Sequence, residues 1–380
     1  MRFARFAPTT LVLSTIAVVS AMGFALHALV GGLISDVEDG RYQQMDAIVQ
    51  AGMRDAEDHA LARAELIADL PRVQALVAAQ DRPGLLAETQ AMFAVQRDKY
   101  GVEQVIFHVP TGTALLRLHA PDKFGEQSKQ PLILDVYASH VARHSVEIAR
   151  SGPDLFAAVP INGSDGKMIG SVEVGVNPGT VLDGIKRGYG LELGLYIEEE
   201  PLHRLATGID PAVFDPQRRI GKHIQLHATD RALLTQLVDS SQLASATVPV
   251  RYTAMAAGVP YGVVLTPVPD STGQIIGVLA AAQDFSSSRA AASRSKVWQV
   301  LVALFAIVLL SGVIIIVLRG GLLAPLRAIT GRFDALARGE TTRAGEDGPL
   351  CDELAALARH HERLRALAGA EAKPVPRGDA

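Results

Sequence analysis

Three side chains in this sequence are of a type and spacing suited to binding a small charged molecule. In the tract Ala114-Leu-Leu-Arg-Leu-His119, strand alternation puts Leu116, Leu118 and Ala120 on one face and Leu115, Arg117 and His119 on the other. An arginine and a histidine side by side on a sheet face can grip an anion. Glu173 stands inside the apolar run Ser171-Val-Glu-Val-Gly175, where a buried carboxylate needs a cation or a ligand amine beside it. A structural ion pair between Arg117 and Glu173, with His119 capping a strand end, accounts for the same residues without a ligand. His140-x-x-x-His144 has the spacing of a zinc pair on a helix, but Arg143 and strand-like surroundings argue against a metal there. The sequence offers no nucleophile, base and oxyanion set and no glycine-rich phosphate loop, so neither an enzyme nor a cofactor is expected.

Strands must hold these side chains. Residues 102–109 and 114–119 read as short strands joined by the turn Pro110-Thr111-Gly112, and residues 132–137, 154–161, 167–176 and 191–197 continue the sheet around a helix at 179–187. A second strand-rich stretch follows Pro211 and Pro216: strands at 220–226, 247–256, 259–267 and 274–283, with a helix at 230–237. At an offset of 107 residues, Pro160, Ser164, Gly166, Ile169 and Gly170 match Pro267, Ser271, Gly273, Ile276 and Gly277, which points to a duplicated module. In that offset Glu173 falls on Ala280, so the acid exists in one module only. Before the strands, residues 36–100 read as helix, with Ala56, Ala60, Ala64 and Ile67 on one stripe, an interruption at Pro71 and a turn at Asp81-Arg82-Pro83-Gly84. This is a spine suited to dimerisation.

The composition is 48% hydrophobic and 20% charged with mean hydropathy +0.21, and the excess apolarity is concentrated in residues 7–35 and 297–318, neither of which has an Asp, Glu, Lys or Arg. Each run is long enough to cross a hydrocarbon core of about 30 Å as a helix. A cleaved signal peptide competes for the first run, whose 29 residues exceed an h-region of about 7–15. Of the formal charge of −4, the residues before the first run carry +2 and those after 318 carry +1, which leaves −7 for the middle. Such a balance excludes nucleic acid as a partner. Arg2 and Arg5, with Arg319, Arg327, Arg332 and Arg338, favour both termini inside the cytoplasm. The single cysteine, Cys351, leaves the exported part without a disulfide.

Tyr100-Gly-Val-Glu-Gln104, Leu116-Arg-Leu-His-Ala-Pro121, Phe124-Gly125, Val146-Glu-Ile-Ala-Arg150 and Gly170-Ser-Val-Glu-Val-Gly175 together resemble the periplasmic double Cache sensor of bacterial chemoreceptors and sensor histidine kinases, over about residues 66–284. The resemblance implies an α+β sensor in which a long N-terminal helix carries two stacked PAS-like modules, with a small molecule bound in the membrane-distal one. Carried over position by position, it implies Arg117, His119, Glu147 and Glu173 as ligand-binding residues. Phe156 stands where that pattern has a basic residue and Gln127 where it has an acid.

After 318, Leu326, Ile329, Phe333 and Leu336, and then Leu350, Leu354, Leu357, His361 and Leu364, fall at alternating spacings of three and four. Two such helices bury their seams in a parallel four-helix bundle from two chains. Pro325, the stretch Leu336-Ala-Arg-Gly339 and Asp352-Glu353 resemble the HAMP linker of the same receptors. The expected order is a stub and first span (1–35), helical spine (36–100), distal module (101–200), proximal module (201–296), second span (297–318), HAMP linker (319–370) and tail (371–380). The 62 residues after the second span are too few for a kinase or a full signalling hairpin, so output is expected from a chemoreceptor or kinase partner, or from further sequence. The expected protein is thus a homodimeric receptor of the bacterial inner membrane that senses a small solute outside it. The competing reading is a membrane-anchored docking protein whose outer domain binds another protein.

Overall fold

Small residues set how closely the first helix can be packed. Helix α1 (Phe3–Ala68) presents Ala60 and Ala64 with no exposed surface, one turn apart and followed by buried Ile67, so its backbone lies close to whatever covers it. Extended Leu70 ends the run and Pro71 opens α2 (Pro71–Ala78), since proline is tolerated in a first helical turn but not further in. Asp81 accepts the Gly84 N–H to cap α3 (Arg82–Tyr100), which closes at Gly101 with φ +68°. The computed structural model describes residues 3–317 and twelve single positions between Arg319 and Ala366. The chain divides into two compact units, one being Ser35–Arg289 and the other Met1–Ile34 with Ala290–Ala380.

The larger unit holds two antiparallel sheets. β1 (Val102–Val109), β2 (Thr113–Arg117), α4 (Pro131–Ser139), β3 (Arg143–Ala149), β4 (Gly152–Asn162) and β5 (Met168–Val176) build the first, in the order β2-β1-β5-β4-β3. Helix α5 (Pro178–Tyr189) leads to the second, made of β6 (Glu192–Glu198), α6 (Glu199–Leu205), β7 (Arg219–Ile220), β8 (His223–Ala228), α7 (Arg231–Leu237), α8 (Ser240–Ser245), β9 (Val250–Ala256), β10 (Val259–Pro269) and β11 (Ile275–Asp284). Its order is β7-β8-β6-β11-β10-β9. Apart from β7 the two sheets have one topology, with β2, β1, β5, β4 and β3 answering to β8, β6, β11, β10 and β9.

The 107-residue offset is kept in the register. Pro160 pairs with Ser171 and Ile161 with Gly170, and then the ladder slips to Asn162 with Met168; Pro267 pairs with Val278 and Val268 with Gly277, and the slip recurs at Pro269 with Ile275. The turns agree as well, with Gly166 at φ +77° and Gly273 at φ +84°. One hydrophobic core runs along the spine, from Val73, Leu85 and Phe93 beside Phe107 and Val174 to Met45 and Tyr42 beside Val264 and Phe285. The opposite faces have separate cores, under α4 in the first module and under α7 and α8 in the second.

Three expectations need correction, the simplest being residues 220–226, which turn back at Gly221 (φ +60°) and form the antiparallel pair β7 and β8 instead of one strand. Residues 132–137, expected as a strand, are helix α4: Leu132, Ile133 and Val136 are buried at helical spacing, Pro131 starts the first turn, and His140 ends it in the left-handed region at φ +56°. Glu192–Glu198, expected as the last strand of the first module, pairs with β8 and β11, so the module boundary lies near residue 191 rather than 200. Its apolar run suits an interior strand of either sheet, and only the pairing decides between them.

Where the larger unit begins and ends, its two strands of chain are clasped. Arg289 donates from Nε and Nη2 to the two carboxylate oxygens of Glu38 at 2.9 and 3.3 Å, and Tyr42 donates its hydroxyl to the Tyr252 carbonyl at 2.8 Å. Buried Phe285 lies 5.2 Å from the Tyr42 ring. Helix α9 (Ser286–Val317) follows. Within it Val297–Val317 is 21 residues of mean hydropathy 3.3 with nothing buried, and among the described residues it is the one segment long and apolar enough to cross a membrane. At the other end, Thr10–Leu26 is an apolar stretch of α1 that lies within the expected run 7–35. Apart from the twelve single positions, the HAMP-like segment and its His361 lie outside the described residues.

Gly170 and Gly277 are equivalent in the repeat, and a Cβ on either would stand 2.4 Å from a neighbouring carbonyl oxygen, that of His108 and Tyr196 respectively. Gly170→Ala and Gly277→Ala should each lower the unfolding free energy by about 1–3 kcal/mol, read by calorimetry. Gly184→Ala, in α5 with nothing within 4 Å, should be neutral or slightly stabilising. Equal melting temperatures for all three variants would contradict the close approach.

Candidate functional site

On the α4 face of the first sheet, the register sets polar side chains in adjacent rows. Arg117, Ile106, Glu173 and Ala158 form one row across β2, β1, β5 and β4, and His108 and Ser171 face each other in the next. Side chains paired in this way have Cβ atoms roughly 5 Å apart. Glu173 and His108 are each 1% exposed, with 3.8 Å between Glu173 Oε2 and His108 Nε2. Neither carboxylate oxygen of Glu173, nor Nδ1 of His108, has a hydrogen-bond partner among the described residues. The Gln130 amide is near enough to draw weakly on the carboxyl without reaching ordinary hydrogen-bond geometry.

Burial decides the charge state. Taken out of water without a partner, a carboxylate sheds its charge by keeping its proton, and burial pushes Glu173 up to about 8, against a smaller downward pull from Arg117. The same desolvation drives His108 down to about 3, with Arg117 adding to it. At neutral pH the two are a protonated acid beside a neutral imidazole, a pair that can donate, accept and exchange a proton with an arriving solute. From α4, Tyr137 donates to the Val109 carbonyl at 2.8 Å and lies 3.3 Å from the Ser171 hydroxyl. Burial holds that phenol neutral, raising it to about 12. Phe156 fills the floor: a Cβ on Gly175 would stand 2.7 Å from its ring. Close by on the same face, buried Asp154 accepts from Gln104, whose amide also reaches Ser151, and desolvation raises that carboxyl well above its ordinary range.

Of the four residues implied from sequence, the structure brings Arg117 and Glu173 into one row but does not pair them. Half-buried Arg117 donates to Glu126 at 2.7 Å and to the Lys123 carbonyl at 3.0 Å. The structural ion pair between Arg117 and Glu173 is therefore absent. His119 lies beyond the end of β2 in an exposed turn, where partial desolvation and the charges of Arg117 and Lys123 lower it to about 4. Glu147 is buried on β3 and accepts the backbone N–H of Ser271 at 3.0 Å, joining the first module to the hairpin tip of the second. His140 and His144 serve separate ends, one closing α4 and the other 3.2 Å from Glu57 of α1. Sequence reasoning passed over His108. Its signal was period-two alternation in β1, which sets His108 on the same face as Ile106, one row along from Glu173.

The second module shows the same positions closed with apolar groups. By the register, His108 answers to Tyr196, Ser171 to Val278, Glu173 to Ala280 and Ala158 to Leu265, and all four belong to the buried core under α7 and α8. Tyr196 meets the buried amide of Gln225 at 3.2 Å. The unpaired acid and imidazole thus have no counterpart across the repeat.

Residues 41–288 match the family described as a double sensory domain of two-component sensor kinase. No curated protein matches the chain. Among solved structures, the Escherichia coli DcuS sensor domain is 20% identical over 36% of this chain and 98% of its own, with a TM-score of 0.30. The Vibrio cholerae histidine kinase DctB sensor domain is 11% identical over 66% and 98%, at 0.38. The ligand-binding domain of the Campylobacter jejuni chemoreceptor Tlp3, solved with L-valine, is 13% identical over 72% and 98%, at 0.32.

The two shifts predict opposite pH dependences. Glu173, raised from 4.5 to about 8, contributes stability that is complete below its unfolded value and is lost as pH rises through 8. His108, lowered from 6.5 to about 3, contributes stability that is complete above 6.5 and is lost as pH falls through 3. Between 4.5 and 6.5 they offset one another, and above 6.5 only the loss from Glu173 remains. Relative to the wild type, Glu173→Gln should therefore gain stability as pH rises from about 5 to 8, with a limiting slope of about 1.4 kcal/mol per pH unit. Denaturant titrations at fixed pH measure it, and a pH-independent difference would show that Glu173 ionises normally in the fold.

Proposed function

As the chain belongs to the family of double sensory domains of two-component sensor kinases, we propose that it is a transmembrane receptor that binds a small extracytoplasmic solute in its first, membrane-distal module. The single observation that carries this reading is the buried pair Glu173 and His108, unpaired on a sheet face whose repeat equivalent is apolar. Leaving such groups without partners costs about 1–3 kcal/mol each. A solute bringing an amine or hydroxyl to Glu173 and an acceptor or donor to His108 recovers that cost on binding, so occupancy and fold stability are linked. Arg117, across Ile106 in the same row, adds positive potential for an anionic end of the solute.

In this reading the second module is a spacer that feels the first through Glu147 and Ser271, and the change leaves through α9 and its apolar segment. A dimer formed along the spine, a HAMP-like bundle after residue 318 and a kinase or chemoreceptor partner complete the proposed route. Both termini lie in the cytoplasm and residues 36–296 outside it.

The full chain in lipid nanodiscs tests the site through thermal melting in the presence of small polar solutes. A solute that raises the melting temperature of the wild type should lose its effect in Glu173→Gln and in His108→Gln, both still folded. A lost hydrogen bond between neutral groups, about 0.5–1.5 kcal/mol, corresponds to roughly 2- to 13-fold in affinity. Undiminished stabilisation in both variants would move the site elsewhere. Topology is tested with cysteines at Ser164 and Ser240, both exposed, in a Cys351→Ser background. An impermeant maleimide should label both in cells with a permeabilised outer membrane, and protection of both would refute the orientation.

A further inference from the structure

On the face of the first sheet turned away from Glu173, a cavity of about 250 Å³ lies between the spine and the strands. Its walls are Ile67 of α1, Met92 and Phe93 of α3, Val105 of β1 and Val174 of β5. Leu66 and Leu70 also line it and are 71% and 42% exposed, which marks where it opens to solvent. Two polar side chains break this lining, Arg63 and Gln96, and they are bonded to each other: Arg63 Nε donates to Gln96 Oε1 at 2.9 Å. The guanidinium also sits 5.1 Å from the centre of the Tyr100 ring. Half-buried, it is desolvated enough to lower its pKa, against a smaller upward pull from Tyr100, and no carboxylate among the described residues pairs with it.

A cation in this position is unusual. Arginine is retained at partly buried sites where its planar fork meets a carboxylate or phosphate, and here the bond to Gln96 and the aromatic ring leave the terminal N–H groups uncommitted among the described residues. The adjoining surface is apolar and concave, which suits a hydrocarbon tail. The volume falls just under the roughly 300–1,000 Å³ of pockets that enclose drug-sized ligands, so the tail must be short. We propose that the chain has a second binding site, formed by α1, α3 and the first sheet, for a short-chain aliphatic carboxylate whose tail fills the cavity and whose carboxylate lies on Arg63. The site is independent of Glu173, which faces the other side of the sheet.

Calorimetric titration of the full chain in lipid nanodiscs, with empty discs subtracted, tests this with acetate, butanoate, hexanoate and hexanol. Affinity should rise about three- to fourfold per methylene up to hexanoate, and hexanol should bind at least tenfold more weakly than hexanoate. Arg63→Gln should abolish the preference for hexanoate over hexanol, Met92→Trp should abolish binding of both by filling the cavity, and Glu173→Gln should change neither. If Met92→Trp fails to fold, Leu66→Asp serves instead, since an acid at the opening should weaken hexanoate more than hexanol. A flat chain-length series, equal binding of hexanoate and hexanol, or no heat beyond that of empty discs would overturn the proposal. So would sedimentation showing that Arg63→Gln and Met92→Trp weaken self-association without hexanoate binding, which would assign the groove to a second copy of the chain.

Discussion

Both sheets depend on being laid against one helical spine, α1 continued by α2 and α3. Ala60 and Ala64 of α1 are fully buried, and the core that begins beside them continues without a break through the inner faces of both modules. Alanine at these positions keeps the helix propensity high while letting neighbouring backbones approach. Because that shared core immobilises one face of each sheet, the other face of each must find its own cover. The cover is a single helix, α4, in the first module and two short helices, α7 and α8, in the second.

This division leaves the outer faces free to diverge. The duplicated hairpins keep their register, their slip and their positive-φ glycines, so the backbone positions correspond residue for residue. Only the side chains differ. Val278, Ala280 and Leu265 make the second module a conventional apolar interior, whereas Glu173 and His108 leave the first with polar groups whose hydrogen bonds are not met from within. Since the spine-side core already supplies burial for both, the first module tolerates a poorly satisfied face that a free-standing domain of its size would not. The asymmetry is a property of sequence written on one repeated backbone.

Much of this was legible from the residues. Period-two runs located most strands, Pro71 and the Asp81-Arg82-Pro83-Gly84 tract located the helix breaks to within a few residues, and the 107-residue offset anticipated the duplicated hairpins. Glu173 stood out because an acid in an apolar strand is conspicuous. What the sequence could not show was pairing. Arg117 has several acids within reach along the chain, and only the fold of the loop after β2 gives it to Glu126 rather than Glu173. Glu147 alternates like a pocket residue, yet it meets a turn 124 positions later. Glu192–Glu198 fits either sheet by composition, and residues 132–137 are apolar enough to be a strand until their burial at helical spacing is seen. His108 was hidden by the ordinary look of its strand. Non-local register, which no local pattern encodes, is the common cause.

The clasp of Glu38 and Tyr42 with Arg289, Tyr252 and Phe285 has a topological consequence. The chain enters and leaves the large unit at one place, so everything between residues 35 and 289 is a closed excursion. A closed excursion is a cassette: it can be lengthened by a module, shortened by one, or exchanged for another without altering the distance between the segments it interrupts. Duplication of a single α/β module inside such a cassette needs only that the last strand return to the first helix. The side chains at the clasp are those that would be retained while the interior was rewritten.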